Sequence, residues 1–471
     1  MVSVNVSAFH AASDPDHTAA VTRAVAALAG RPGRVQLPAG QITLSSTIFL
    51  PSNVHVRGEG VDRTLVVFRG QHPDRIGTRP RIGILRSSAF VAAGVCPDDK
   101  YDNDSRELGD YYISAPRPFV GTRAAGTQIV TTNRSYLDGI AAGDWIHVCS
   151  GPSGWHSALS EMARIVAVGD TTLSLSSPLD NHYDTGSDGL GAFIARFDHT
   201  ANPPGGARID LWPHTGFRLI KPVENVTLSD FAIANLNKSP QYGGRAYCLA
   251  RARNCSIRNI SIFSGEGWHI DCQDIHCDIT LRSDTHNLPV GLLFNGSNRI
   301  DLQLSSKEGS LLIEEGVQRL TLRSSQFNLD KASIIIGQYC SNIRFIDVKI
   351  VNTSSYGISI RKSCNVVIGG EIIAAGSAIR YETAPAEAPA AAYSTTAPYF
   401  DGRGILLDHC YLESTRNPGY DLWLHQPISA RDSILTGAKG APYLAIPGHR
   451  HGAIFGSLIR RSDGYQFGTP N

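Results

Sequence analysis

Two carboxylates in this chain are placed where they could do acid/base chemistry. Asp271 lies in the segment GWHIDCQ (267–273) and Glu314 lies in SLLIEEG (310–316). Each segment reads as a short strand, and successive side chains of a strand point to opposite faces. If the apolar residues point inward, both carboxylates point outward. Two carboxyls roughly 6.5–9.5 Å apart leave room for a water, as inverting glycosidases require.

His269 shares the outward face that this alternation predicts. The pattern places Trp268 and Ile270 in the interior, which leaves His269 beside Asp271 on the outside. A histidine there could relay a proton or bind a sugar. The sequence therefore predicts a catalytic group of Asp271, Glu314 and His269, although exposed charged residues are more often simply solvated.

Later strands add four candidates for substrate binding. The segments YGISIRK (356–362) and SAIRYE (377–382) carry charged residues at the outward end of each alternating run. An arginine or lysine there could neutralise a substrate carboxylate or act as a base in a lyase. The candidates are Arg361, Lys362, Arg380 and Glu382.

A repeat supplies the elements that position these residues. Seven segments share one pattern, and their first inward residues are separated by 29, 22, 23, 20, 23 and 23 residues. These first inward residues are Val226, Cys255, Cys277, Ile300, Leu320, Ile343 and Val366. A period near 22 with several short strands per period is typical of a parallel β-solenoid, whose coils must stack to bury their apolar stripe. Neighbouring coils lie about 4.8 Å apart, so Asp271 and Glu314, two coils apart, would be separated by about 10 Å at the backbone.

Breaks in the repeat suggest four regions. Residues 1–75 form an entry module with a helix near 15–29, which Asp14 or Asp16 could cap. Residues 76–220 read as an inserted, largely antiparallel β region. Residues 221–415 are the regular coils, and 416–471 are irregular coils or a C-terminal cap. A helix over the first coil is expected because an end coil exposes apolar surface and strand edges.

Asparagines and cysteines in the coils favour structural roles. Asn225, Asn254, Asn342 and Asn365 each precede the first inward residue of a coil, where turn asparagines can form a hydrogen-bonded ladder. Cys255 and Cys277 read as equivalent, inward and unlinked positions. The nine cysteines form no close pair of zinc-ligand spacing, so we expect reduced thiols and no metal or other cofactor.

Composition excludes several classes of protein. The formal net charge is +1, so no global field points to nucleic acid or to an anionic membrane. No apolar run reaches the roughly 18 residues of a membrane span. The start MVSVNVSAF lacks signal-peptide features, which predicts a cytoplasmic protein as written, or a secreted one if a signal has been removed.

The entry module also carries a family resemblance. The stretches VNVSAF, TAAVTRAVAAL and GRVQLPAGQITLSSTIFLPSNVHVRGEG resemble the start of the pectate-lyase-like, right-handed parallel β-helix superfamily. The resemblance implies an all-β, right-handed parallel β-helix. It carries over no catalytic residue, because the motifs NTD, DD, GHG and RIK of polygalacturonase-type members do not occur in order.

Three functions remain open at this stage. The first is a carbohydrate-active hydrolase or lyase that cleaves a glycosidic linkage in a groove on the wall. The second is an intracellular isomerase or cyclase acting on a small molecule at the same wall. The third is a binding or structural protein of the phage tailspike kind. The expected partner is an oligosaccharide or other small molecule, without nucleic acid or membrane, and a dimer or trimer is compatible with each function.

Overall fold

The computed structural model describes most of the coils and part of the inserted region. The described residues are 2–70, 75–76, 79–80, 87–97, 117–119, 121–123, 126–150, 159–180, 215–236, 244–283, 290–314, 316–330, 332–337, 340–361, 364–382, 405–415, 422–424, 428–436, 443–445, 454–455, 458–461 and 464–467. Lys362, the aspartates at 98–104 and the Ala/Pro-rich segment 384–399 lie outside them.

One continuous run of parallel strands, here the first ladder, connects the coils. Its strands are Val2–Asn5, Gly33–Gln36, Val54–Arg57, Thr227–Asn235, Ala252–Ile270, Gln273–Arg282, Asn298–Lys307, Gln318–Leu329, Ser341–Asn352, Cys364–Ala374, Ile405–Ser414, Ile428–Arg431 and Ile434–Thr436. All pair in parallel with the next coil. The parallel stacking predicted from the seven repeat segments is therefore confirmed.

A second ladder runs beside the first and is also parallel. Its strands are Ile48–Phe49, Ser88–Ala93, Arg245–Ala250, the last part of Ala252–Ile270, Val290–Asn295, Ser310–Ile313, Ile334–Ile336, Ile358–Arg361, Ile379–Glu382, Leu422–Leu424 and Tyr443–Ala445. Ser88–Ala93 falls in the range assigned above to the insertion, so the insertion begins after this strand.

The interior between the ladders is apolar. The seven first inward residues of the repeat are all buried. The pairing nevertheless aligns Cys255 with Ile275 and Cys277 with Ile257, so the predicted equivalence of the two cysteines is wrong by two residues. Among the described side chains, seven cysteines are buried and free, and no bond joins Cys255 to Cys277.

The helix Thr18–Ala27 covers the first coil, as the sequence predicts. Its buried face, which includes Val21 and Val25, joins the core of the N-terminal coils together with Leu28, which follows the helix. Asp16 Oδ1 accepts the Thr18 backbone N–H at 2.8 Å, which satisfies one donor at the helix start. The chain leaves the helix through Ala29 and Gly30, which both have positive φ.

The asparagine corner is a column of residues in the left-handed conformation. Asn225 Nδ2 donates to Asn53, and Asn254 Nδ2 donates to Asn225 at 2.5 Å. Asn365 donates to Asn342 further along. Between the two groups the column contains Asp274, Arg299 and Arg319, which also have positive φ. The ladder of asparagines is thus interrupted by charged residues.

The inserted region docks where the asparagine ladder is interrupted. Its antiparallel sheet contains Arg117–Pro118, Gly121–Arg123, Gln128–Val130, Trp145–Ser150, Leu159–Val168, Thr172–Leu175 and Thr215–Ile220. Asp180 follows this sheet and pairs with Arg299 at 2.6 Å and with Arg319 at 3.0 Å. The Gln273 amide exchanges two hydrogen bonds with the Met162 backbone. Charged corner residues therefore hold the insertion against the coils.

Within the described part of the chain, no helix is long and apolar enough to cross a membrane. The same residues bring together no group of three or more His, Cys, Asp or Glu side chains that could hold a metal ion.

Candidate functional site

The sequence places the candidate site on the outward face of the second ladder, and strand register fixes which side chains this face presents. Two parallel rows run along this face. The row of Trp268 continues through Leu293, Leu312, Ile335, Ser359 and Arg380. The row of Ile270 continues through Asn295, Glu314, Gly337, Arg361 and Glu382. Glu314 belongs to this row because Ile313, the residue before it, pairs with Phe294, the residue before Asn295. Asp271 is absent from both rows because it follows the strand.

The predicted orientation of the strand around His269 is wrong. His269 is 0 % exposed, its ring stacks on Phe294 with centroids 4.2 Å apart, and its Nε2 lies 3.3 Å from the Tyr247 hydroxyl. Trp268 and Ile270 point the other way, into a separate apolar cluster on the outer face. His269 is therefore part of the core.

Gly267 explains the reversed orientation. A Cβ at Gly267 would lie 2.6 Å from the Tyr247 hydroxyl and 2.8 Å from Leu292, which are both core residues. Gly267 thus faces inward and leaves space for the Tyr247 ring of the preceding coil. Since faces alternate, Trp268 must face outward and His269 inward. Gly267 was the sign of this orientation that the sequence offered. A glycine at an inward position adds no apolar side chain to the alternation, so the inward face of this strand is not recognised from apolar residues.

Burial controls the protonation of His269. Burial lowers the pKa of His269 to about 3, because a charged imidazole would lose its hydration in the apolar core. The ring is held by Leu293 O at 3.3 Å from Nδ1 as well as by Tyr247. A neutral ring enclosed in this way has no contact with the outer wall.

Asp271 also differs from the predicted outward position. It is 2 % exposed, has φ of 49° and occupies the corner after the strand, where Arg251 and Gly296 take the same left-handed conformation in neighbouring coils. Its backbone N–H donates to Asn295 O at 2.9 Å. The Asp271 carboxylate is therefore buried at a corner, and it is not exposed beside Glu314 on the outer face of the second ladder.

Glu314 faces outward as predicted. The inward residues of this strand, Leu311 and Ile313, are fully buried, whereas Leu312 and Glu314 are half-buried on the outer face. The Glu314 N–H donates to Phe294 O at 2.8 Å, which fixes its backbone at the strand end. Gly337 is the next residue in this row, so the row has no side chain on the coil that follows Glu314.

The structure describes the four predicted substrate-binding residues to different extents. Arg380 is half-buried, and its guanidinium lies 4.5 Å from the centre of the Tyr356 ring, an arrangement that favours a cation over the aromatic face. The backbones of Arg361 and Glu382 pair in register, but their side chains lie outside the described part. Lys362 lies outside it entirely.

These positions divide the outer wall into two halves. The covered half comprises the buried outward residues of the coils from Ser88–Ala93 to Val290–Asn295, with partly buried Phe49, Ala93 and Glu266 at its margin. These buried residues are Val91, Cys248, Ala250, Trp268, Ile270, Leu293 and Asn295. The open half comprises the partly exposed outward residues of the next four coils, Ser310, Leu312, Glu314, Ser333, Ile335, Ser359 and Arg380. The predicted site straddles the two: His269 and Asp271 belong to coils of the covered half, and Glu314 to the open half.

Contacts around Trp268 were missed by the sequence analysis. Trp268 Nε1 donates to Glu266 Oε2 at 2.7 Å, and the Arg245 guanidinium lies 3.8 Å from the centre of a Trp268 ring. Burying an indole requires a partner for its N–H, and Glu266 provides it. These two contacts hold the Trp268 side chain in place within the covered half.

Comparison with known proteins agrees with this architecture. No family model and no curated protein sequence matches the chain. Among solved structures, the tailspike protein gp49 from Pseudomonas phage LKA1 is similar over 95% of this chain and 75% of its own, with 13% identity and a TM-score of 0.50. The Pseudomonas phage phi297 tailspike gp61 is similar over 97% and 80%, with 12% identity and the same TM-score.

These similarities show the fold. The chain forms a right-handed parallel β-helix, as its stacked coils indicate. At 12–13% identity they carry no catalytic residue to this chain.

Proposed function

We propose that this protein is a carbohydrate-active enzyme that binds an oligosaccharide or polysaccharide along the open half and cleaves a glycosidic linkage there. Glu314 is the acid/base residue of this proposal. The observation that supports it most is the row Glu314, Gly337, Arg361, in which a glycine separates an outward carboxylate from an arginine position two coils away. Two coils amount to about 10 Å, which is enough for part of a sugar ring or a water.

The remaining surface of the open half suits a sugar. Leu312 and Ile335 are adjacent in one row and partly exposed, which provides an apolar strip for the face of a pyranose ring. Hydroxyls of Ser310 and Ser333 flank the strip, and Ser359 follows Ile335 in the row with its Oγ enclosed. Ligand sites commonly combine an apolar floor with a few polar groups that fix orientation. Both parts are therefore present within about four coils.

The substrate-binding roles of Arg361, Lys362, Arg380 and Glu382 are part of the same proposal. Arg380, held over Tyr356, has a guanidinium suited to a substrate carboxylate or hydroxyl. The partner of Glu314 in a two-carboxylate mechanism is not Asp271, because Asp271 is buried at a corner. Hydrolysis and lyase chemistry both use one positioned proton-transfer group, and Glu314 supplies it in either case.

Product analysis against a panel of neutral and anionic polysaccharides tests the proposal. We expect a cleavage product with the wild type, and turnover lower by about 10²–10⁴ in Glu314→Gln. The matched control is Asp278→Asn, which removes a partly exposed carboxylate from the outer face of the first ladder. Unchanged turnover in Glu314→Gln would disprove the assignment.

Two other outcomes would replace the proposal rather than refine it. Tight binding of a polysaccharide without any product would favour a tailspike-like binding protein, and a trimeric mass in solution would add to that reading. Turnover of a small molecule with no polymer activity would favour an isomerase or cyclase.

A further inference from the structure

We propose a second binding site, on the outer face of the first ladder near the N-terminal end, for the carboxylate or sulfate groups of an anionic polysaccharide. The site is built by Arg34, Arg57 and Arg258 around His55. It lies on a different ladder from Glu314, so it does not depend on the function proposed above.

Strand register brings the three arginines together. Arg34 pairs directly with His55 on the next coil, and Arg57 lies two residues further along the same face. Arg57 pairs with Ser229, and Ser229 pairs with Arg258. The inward neighbours Val35, Val56, Leu228 and Ile257 are all buried, which fixes these side chains on the outside. Four adjacent coils therefore present three cations within about 15 Å of one another.

A hydrogen-bonded relay holds the centre of the site. His55 Nε2 lies 2.8 Å from Ser229 Oγ, and Ser229 Oγ donates to Asp230 Oδ2 at 3.0 Å. Because the serine hydroxyl has a single proton, which goes to Asp230, His55 Nε2 must be the donor to Ser229. Its Nδ1 is then an acceptor for a ligand hydroxyl. Asn259 Nδ2 completes the relay by donating to the other Asp230 oxygen at 2.9 Å.

His55 is kept neutral, so the positive charge of the site resides on the arginines. Burial, followed by the charges of Arg34 and Arg57, lowers the pKa of His55. Asp230 is the facing carboxylate and raises it to a lesser extent. Three arginines against one aspartate leave a local excess of positive charge in a protein whose net charge is only +1.

The guanidinium groups have donors left for a ligand. Within the described residues, Arg57 uses Nε for Asp230 at 3.0 Å and Arg258 uses Nη2 for Ser256 at 3.3 Å, which accounts for one of five donors in each. Arg34 Nε is enclosed, and no acceptor among the described residues lies within hydrogen-bonding distance of it. Guanidinium groups bind carboxylate and sulfate oxygens in pairs.

The surroundings favour a glycan over a nucleic acid. The residues between the arginines are hydroxyl and amide side chains, namely Gln36, Thr227, Ser256 and Asn259, and these suit sugar hydroxyls. The described residues of this patch include no aromatic side chain other than the His55 ring, whereas binding of single-stranded nucleic acid generally uses aromatic stacking. The repeated anions of a polyuronide or sulfated glycan match a row of cations along the coils.

Binding measurements on the full chain test the site. The probes are an oligogalacturonate tetramer, its fully methyl-esterified form, an equally long sulfated oligosaccharide, inorganic sulfate and a single-stranded dodecanucleotide. We expect the tetramer or its sulfated counterpart to bind, the neutral ester to bind at least about tenfold more weakly, and the double variant Arg34→Gln, Arg258→Gln to lose affinity by a similar factor. Arg344→Gln is the matched control, since it removes an arginine from the same outer row four coils beyond Ser256.

The outcomes separate this site from its alternatives. Equal affinity for the ester, no binding of either anionic oligosaccharide, or an equal loss in Arg344→Gln would overturn the proposal. Tighter binding of the oligonucleotide, or inorganic sulfate competing at the concentration of the tetramer, would overturn the glycan as ligand. Glu314→Gln should leave the tetramer affinity unchanged; a matching loss there would assign the binding to the open half instead. Unchanged melting temperatures in all variants exclude unfolding as the cause.

Discussion

The covered and open halves of one wall have the same strand geometry and different solvation. Leu293 and Leu312 are paired residues on the outer face of adjacent coils, yet Leu293 is 4 % exposed and Leu312 is half-buried. On the covered half the two outward rows are apolar up to Asn295, whereas on the open half one row carries Glu314 and the other carries Arg380. Facing outward from a β-helix is therefore different from being accessible.

The sharpest test of this comparison is a pair of leucine truncations. Leu293→Ala should lower the free energy of unfolding by about 2–5 kcal/mol, because it removes a buried side chain and leaves a cavity. Leu312→Ala removes the same atoms from a partly exposed position and should cost less than about half as much. Urea unfolding of both variants measures the difference. Equal losses would mean that the two halves are covered alike.

The two predicted carboxylates give the next largest contrast. Asp271→Asn keeps a residue that tolerates the positive φ of this corner, so it isolates the replacement of a buried carboxyl oxygen by an amide group. We expect a cost of about 1–3 kcal/mol, because the hydrogen bonding of a buried polar group is disturbed. Glu314→Gln should change stability by less than about 0.5 kcal/mol. Thermal unfolding of both variants checks this. A stable Asp271→Asn protein would indicate that the carboxylate makes no structural contribution.

The pH dependence of stability reports the buried histidine. His269 has a pKa of about 3 when folded and about 6.5 when unfolded. Between these values the unfolded chain binds more protons, so stability falls as the pH falls, by about 1.4 kcal/mol per pH unit from this residue. His147, whose pKa burial also lowers to about 3, adds a similar slope.

The variant His269→Gln should therefore flatten the loss of stability between pH 6 and 5 without abolishing it. The control His276→Gln, at an exposed position on the first ladder, should keep the wild-type slope. A wild-type slope in His269→Gln would mean that His269 is solvated, as an outward residue would be.

The smallest expected effect concerns the docking of the insertion beside the covered half. Asp180→Asn weakens the pairs with Arg299 and Arg319, which are partly exposed, so we expect a loss of no more than about 1 kcal/mol. Hydrogen exchange should increase in Leu159–Val168, which docks through Met162 on Gln273. Glu371→Gln, which breaks the exposed pair with Lys349, should leave that exchange unchanged.

Much of the fold follows from local patterns. The repeat of about 22 residues requires stacked coils, because no coil can bury its own apolar stripe. The helix over the first coil follows from its apolar periodicity and its capping aspartate. Outward positions were predicted correctly for Glu314 and Arg380, where alternation with Leu and Ile left one assignment only.

The sequence by itself determined the period, the parallel ladders and the outward positions of Glu314 and Arg380. Only the tertiary structure decided the orientation of 267–270, because Gly267 makes room for Tyr247 from another coil and so turns His269 inward. Only the tertiary structure decided that Asp271 is buried and that the coils divide into covered and open halves. Strand alternation is a local property, whereas the space next to a side chain is set by residues distant in sequence.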